Sequence, residues 1–299
     1  MVEHTTEDVI TSRENRWIKM FRAGLRGSGP SGDEPIAVEG PKLIEDALRY
    51  GVEAEAVLVS ESGERDMEKI LRAAGDSESG IARSRVLRTT DKIFEAISGT
   101  ESSQGVAALF RQPVWDFEEI LGLGSSQGDA SAAGPNRALV LVMAGVQDPG
   151  NVGTIFRSAE AFGASGVIAA RGTADPWSPK AVRASAGSSL RLPLLRGMPT
   201  SVVLAQLRIS KIKIVAASLR ASKGEVAGGQ ALPDLREPVA IFVGSEGSGL
   251  ASEIESAADA RISIPMSATV ESLNAGIAAS IILYEAARQR KMGSTGAGS

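Results

Sequence analysis

The sequence predicts two α/β domains joined by a glycine- and serine-rich linker, the second of them built on a parallel sheet. Three observations predict this. Apolar runs suited to strands alternate with helical stretches on both sides of residues 112–137. Within that stretch Gly, Ser, Ala and Pro are concentrated from Gly122 onward, the composition of a flexible linker. The chain has 299 residues, enough for two domains of about 100–200 residues each. The expected divisions are residues 1–111, a linker over 112–137, a second domain over 138–292 and a disordered tail over 293–299.

Before the linker, residues 13–26 read as a helix and 24–35 (GLRGSGPSGDEP) as a loose connection. Strands are expected at 36–39, 54–60, 85–89 and 105–110, and helices at 41–50, 65–74 and 91–97. After the linker, strands are expected at 139–146, 166–170, 213–218, 239–243 and 261–264. These runs are apolar almost without interruption, as strands covered on both faces are. Helices fit at 152–162, 179–186, 201–210, 250–257 and 273–288. Ligands of such a sheet belong at the carboxyl ends of its strands.

Composition narrows the chemistry. Hydrophobic residues make up 43% and charged residues 23%, as in ordinary globular proteins. Cysteine is absent and His4 is the single histidine, which excludes disulfides, thiolate nucleophiles, the usual zinc spacings and the Ser-His-Asp triad; no metal is expected. No apolar run approaches the ~20 residues of a membrane span, and residues 1–9 are polar and acidic, unlike a signal peptide, so a soluble cytoplasmic protein is expected. The net charge of −4 hides a gradient: −6 over residues 1–110, −2 over 111–137 and +4 over 138–299. That excess is modest, and ordinary surface scatter accounts for it as well as a polyanionic ligand does.

Four segments can carry chemistry. Asp148-Pro149-Gly150-Asn151 joins an apolar strand to a helix, placing amide N–H groups and Asn151 at the sheet edge, with Arg157 one to two turns in and Ile155 and Phe156 facing the core. Asn151 suits either a ligand or the helix N-cap, with Gly163 as C′ residue. Phe242–Leu250 (FVGSEGSGL) follows a buried strand with three glycines and one carboxylate, Glu246. Its G-x-x-G-x-G order is neither the Rossmann fingerprint nor a P-loop, but its glycines let a ligand lie against backbone. In the third segment a strand ends at Ile264-Pro265-Met266, and Ser272, a candidate N-cap, and Asn274 crowd the entrance of a helix rich in small residues. In the fourth, Lys180 and Arg183 share a helix face that suits either phosphate or solvent. The N-terminal helix adds a basic face (Arg16, Lys19, Arg22, Arg26) opposite an apolar one (Trp17, Ile18, Phe21, Leu25), which suits an RNA backbone and any surface helix equally.

Taken together, NVGTIFRSAEAFG, FVGSEGSGL and IPMSATVESLNAGIAAS resemble, in order, the three motifs of the SpoU/TrmH family of SPOUT methyltransferases, and SPKAVRASAG resembles a stretch between the first two. ITSRENRWIKMFR, IAVEGPKLIEDAL and ESSQGVAALF resemble the L30e-like substrate-binding domain that many members carry ahead of the catalytic one. The resemblance spans nearly the whole chain apart from linker and tail. It implies a SPOUT domain with a deep trefoil knot, an exception to the rule against threaded chains. It also implies a homodimer with active sites at the subunit interface, and transfer of a methyl group from S-adenosylmethionine to a ribose 2′-hydroxyl of RNA.

By the same resemblance, backbone groups of Gly244, Ile264, Met266 and Leu273 contact the cofactor, with Ser218 in the stretch 216–219 a further candidate. The reactive positions are Asn151, Arg157, Glu246, Ser272 and Asn274. Arg157 corresponds to the residue assigned to activating the 2′-hydroxyl. A guanidinium is a poor proton acceptor, so its expected part is to hold phosphate and stabilise the developing alkoxide. Arg16, Lys19, Arg22, Lys180 and Arg183 are expected on the RNA. Two departures from the family pattern are Ser245, where asparagine is common, and Ala268 or Thr269, where a glycine is common. Ribosomal RNA is the expected substrate. The alternatives are a tRNA methyltransferase, an antibiotic-resistance rRNA methyltransferase or, in another class, a catalytically idle knotted RNA-binding or assembly factor. The glycine order speaks against a nicotinamide dehydrogenase.

Overall fold

A computed structural model describes residues 9–75, 85–123, 138–218, 232–245, 247–266 and 272–295. His4, Glu246, Ala268, Thr269, most of the expected linker (124–137) and the last four residues lie outside them. The chain forms two compact units: Met1–Val114 with Trp177–Arg191, and Trp115–Pro176 with Leu192–Ser299. The backbone therefore passes between units three times, not once as expected from the linker composition.

The first unit opens with α1 (Arg16–Arg26), whose N-cap Asn15 accepts from the Trp17 N–H. It continues with β1 (Ile36–Glu39), α2 (Pro41–Arg49), β2 (Ala54–Ser60), a 3-10 turn (Glu61–Gly63), α3 (Glu64–Gly75), β3 (Arg85–Thr89), α4 (Asp91–Ile97) and β4 (Val106–Phe110). The sheet order is β1-β4-β2-β3, with β4 antiparallel to both neighbours and β2 parallel to β3. Ile18, Phe21 and Leu25 of α1 pack with Phe94 and Ile97 of α4 on one sheet face, against Leu58 and Leu109. The expected basic face of α1 is thereby left outward. Trp17 is only half-buried, and the Arg16 guanidinium lies 4.9 Å from its ring centroid, so these two residues stack instead of facing apart.

The second unit begins inside the stretch read as linker. Its α5 (Phe117–Ile120) is held by a capping box, the Asp116 carboxylate accepting from the Glu119 N–H (2.8 Å) and the Glu119 carboxylate from the Asp116 N–H (2.7 Å). Ile120 and Leu121 are buried in the unit's core. Then come β5 (Leu139–Ala144), α6 (Pro149–Ala161) and β6 (Gly166–Ala169). Next, α7 (Pro179–Ala184) and α8 (Ser188–Arg191) lie in the segment that belongs to the first unit, where Trp177 is buried and its indole N–H donates to the Ser189 carbonyl (2.9 Å).

The second unit resumes with β7 (Leu194–Arg196), α9 (Thr200–Ile209), β8 (Lys213–Ser218), β9 (Val239–Gly244), α10 (Ser252–Ala257), β10 (Ala260–Ser263) and α11 (Ala275–Thr295). Its six strands are all parallel, in the order β10-β8-β9-β5-β6-β7. Val140, Val142, Ala240 and Phe242 face α9 and α10 in one core layer; α11 packs on α6 and β9. Residues 293–295, expected in a disordered tail, belong to α11. No helix among the described residues is long and apolar enough to cross a membrane.

Candidate active site at the carboxyl edge of the parallel sheet

The central pair β5 and β9 is where the strand order reverses, so the loops after these strands diverge and leave a crevice. A cleft of about 840 Å³ opens there, lined by residues 144–148 and Asn151 after β5, Gly172 after β6, and Ser245 and residues 247–251 after β9.

The loop after β5 becomes a helix entrance because Asp148 caps it. The Asp148 carboxylate accepts from the Asn151 N–H (3.0 Å), Pro149 occupies the first helical position, and Gly163 follows the C-cap with φ +76°. The N-cap is thus Asp148, and Asn151 sits in the first turn of α6. Its Oδ1 accepts from Asn274 Nδ2 (2.9 Å), 123 residues away, joining the first and third motifs. Asn274 Oδ1 in turn accepts from the N–H groups of Gly276 (3.0 Å) and Ile277 (3.2 Å). Asn274, not Ser272, therefore caps α11. The two helix entrances are locked to each other through one amide pair, supported by a Ser158–Ser280 hydroxyl contact of 2.6 Å one to two turns further in.

Val152, Ile155, Phe156 and Ala159 bury the inner face of α6 as expected, which turns Thr154 and Arg157 outward. Arg157 is exposed and does not line the cleft, and its guanidinium makes no hydrogen bond or ion pair among the described residues. Ser272 is exposed and Leu273 half-buried at the α11 entrance.

Gly244 ends β9 opposite Ala144. A Cβ on Gly244 would run into the Gly249 carbonyl, so only glycine lets the loop close on itself. Closure is completed by the Gly249 N–H donating to the Ser245 carbonyl (3.0 Å) and a Ser245–Ser248 hydroxyl contact of 2.7 Å. The expectation that these glycines admit a ligand is thus modified at Gly244, whose empty Cβ position is taken by the protein's own backbone. Ser218 ends β8 opposite Ser263, and Ile264 and Met266, both half-buried, follow β10. Cofactor positions expected from four segments therefore sit at one sheet edge. Asp259 fixes β10 to β8: burial pushes its carboxyl up, but the Ile214 N–H (2.8 Å) and the Arg208 guanidinium (2.7 Å) outweigh it and hold it below the usual carboxylate range.

Gln147, Gly172 and Ala251 line the cleft without having been singled out from the sequence. Only the apolar strand ending before Arg171-Gly172 signals the second of these. The basic residues lie in the first unit. Arg22, Lys180 and Arg183 are exposed, Lys19 is paired with Glu14 (2.7 Å), and Arg16 lies over Trp17.

Fold and cleft define an α/β protein with a glycine-closed ligand site at the carboxyl edge of a parallel sheet. Residues 138–284 match the SpoU rRNA methylase family, and residues 33–108 match the MRM3-like substrate-binding domain. The chain is 30% identical to a solved RNA 2′-O ribose methyltransferase, with a TM-score of 0.69, over 95% of this chain and all of that one. An AdoMet-bound rRNA methyltransferase from Sinorhizobium meliloti is 29% identical, with a TM-score of 0.70, over 94% and 97% of the two chains. An uncharacterized tRNA/rRNA methyltransferase of Synechocystis is 37% identical over 163 residues, 54% of this chain and 57% of that protein. The match spans about half the length of such curated relatives. The chain belongs to the SpoU family, with an N-terminal MRM3-like substrate-binding domain.

Proposed function

We propose that this chain methylates a ribose 2′-hydroxyl of RNA, with S-adenosylmethionine as donor and ribosomal RNA as substrate. The observation that carries the reading is the Asn151–Asn274 pair, which joins the first and third family motifs beside the glycine-closed cleft. The cleft's volume is within the range of about 300–1,000 Å³ usual for small-molecule sites. Ser218, Gly244, Ile264, Met266 and Leu273 would hold the cofactor, which supplies a methyl group on an already activated sulfonium. Positioning then does much of the catalytic work, and no histidine or thiolate is required. Arg157, exposed on α6 and without an ion pair among the described residues, holds the target phosphate and stabilises the developing alkoxide, whose proton passes to solvent water as the methyl–oxygen bond forms and the methyl–sulfur bond breaks. Asn151 and Asn274 set the geometry around it, and Ser272 and Glu246 complete the reactive set.

The preference for ribosomal RNA is supported by the MRM3-like domain and by the likeness to a rRNA methyltransferase. The C-terminal knot is supported by the match of residues 138–284 to the SpoU family. A homodimer is supported by Ile277, Ile281 and Tyr284, an apolar stripe of α11 that is 42–56% exposed and that a second copy would cover. The cytoplasm, where substrate RNA resides, is the place of action.

Mapping 2′-O-methyl groups in total RNA with and without the gene should show one ribosomal site lost. Loss of a tRNA site would redirect the substrate. Absence of any lost site together with no cofactor binding by calorimetry would overturn the reading in favour of the idle RNA-binding factor. Arg157→Lys should lower kcat about 100-fold with folding unchanged; near-normal turnover would exclude the positioning role.

A further inference from the structure

We propose that the turn at residues 98–100, flanked by Arg22, Arg26 and Arg183, is where the first unit grips the phosphate backbone of its RNA. The inference rests on the RNA-methylating reading above and assigns it a docking surface.

Several cations elsewhere on the first unit carry their own carboxylates: Lys42 pairs with Asp46 (2.8 Å), Arg49 with Glu45 (2.6 Å), Arg88 with Glu64 (2.8 Å) and Arg111 with Glu53 (2.6 Å). Arg22 and Arg183 are exposed and form no such ion pair among the described residues, although the charge of Arg22 is felt at Glu14, which is itself paired with Lys19. Two helices far apart in the chain bring basic side chains to the same turn. Arg26 Nε donates to the Ser98 carbonyl (3.2 Å), and Arg22 stands one helical turn earlier on the same face of α1. From α7, which packs on α1 and β1, Arg183 Nη1 lies 3.8 Å from where a Cβ of Gly99 would be. That Cβ would strike the Leu25 carbonyl, so the end of α1 is pressed directly onto the turn.

The turn is also held from beneath. The buried Glu39 carboxylate accepts from Ser98 Oγ (2.6 Å), the Gly99 N–H (2.9 Å) and Thr100 Oγ1 (2.8 Å). Its charge is spent inward on these donors, while the surface above presents guanidinium groups on a fixed backbone. Glu101 is the one exposed carboxylate next to the turn in sequence, against three arginines. Planar guanidiniums whose forks match phosphate oxygens, on a pre-ordered surface, suit a sugar–phosphate backbone and carry no sequence preference.

The test is fluorescence anisotropy of the full chain with a short labelled RNA hairpin of arbitrary sequence, titrated across salt concentrations. Arg22→Glu and Arg183→Glu should each weaken binding about tenfold and flatten the log K against log salt slope by about one. Arg49→Glu, on the same unit, should leave both unchanged, and cofactor affinity by calorimetry should be unaltered in all three. Because the two arginines are exposed, their melting temperatures should match the parent. Wild-type affinity and slope in Arg22→Glu and Arg183→Glu would overturn the docking surface even if the enzyme methylates RNA. Failure of the parent chain to bind the hairpin would overturn it too. Loss of hairpin binding in the variants of a chain that methylates no RNA would instead retain the surface and remove the catalytic reading.

Discussion

Two turns in this molecule are held rigid by opposite means. At residues 98–100 of the first unit a buried side chain, Glu39, gathers two hydroxyls and a backbone N–H from inside. After β9 in the second unit the main chain closes on itself, the Gly249 carbonyl filling the space that a side chain on Gly244 would need. A turn pinned from within leaves its outer surface for a ligand to lie across. A turn closed by backbone brings the main chain of a glycine-rich loop to the wall of the cleft. The first suits a polymer on a surface, the second a small molecule in a crevice.

The comparison breaks most readily at Gly244. Gly244→Ala places a methyl against backbone, which cannot move away as a flexible side chain would. Calorimetry should show cofactor affinity down by at least about 100-fold, with the melting temperature lowered as well. A Gly244→Ala protein that binds cofactor as the parent does would show that the loop does not depend on this closure.

Glu39→Ala tests the other turn, with a smaller effect. It leaves the Gly99 N–H without its partner and opens a cavity, while Ser98 Oγ and Thr100 Oγ1, 3.2 Å apart, still reach each other. The expected cost is about 2–4 kcal/mol in urea unfolding, with Glu39→Gln intermediate. Cofactor affinity should remain near that of the parent, since the turn belongs to the other unit. A loss below about 0.5 kcal/mol would mean that Glu39 does not hold the turn.

These two turns were not equally legible beforehand. The glycine cluster after β9 stands out because it follows an uninterrupted apolar strand, and the strands at 54–60, 85–89 and 213–218 are legible in the sequence to their observed bounds. Glu39 looked like an ordinary end of strand, because its partners lie about 60 residues away. Long-range packing also hid the placement of α7 and α8, whose local pattern is that of any short helix but whose Trp177 anchor is buried with the first unit. β7 went unread because three residues show no period. By contrast, α5 could have been read from Asp116 and Glu119, whose spacing is that of a capping box, had the loop composition that follows not dominated. Ser272 and Asn274 are both good caps two residues apart, and only the helix start at Ala275 decides between them.

The smallest effect concerns a third pinned turn, again in the first unit. Hydrogen bonds from the Ser60 hydroxyl and from the Ser62 N–H and hydroxyl hold the Asp91 carboxyl below the usual carboxylate range. The unfolded chain then binds the proton more readily than the native one. Asp91's contribution is therefore fully present above about pH 4, the ordinary aspartate value, and is lost as pH falls through the lowered native value. Urea unfolding of the parent and Asp91→Asn should accordingly differ at neutral pH and converge in acid. A difference that stays constant from about pH 6 to about pH 2.5 would show that the charge of Asp91 plays no part. The preference of this unit for carboxylates as turn anchors would then rest on Glu39 alone.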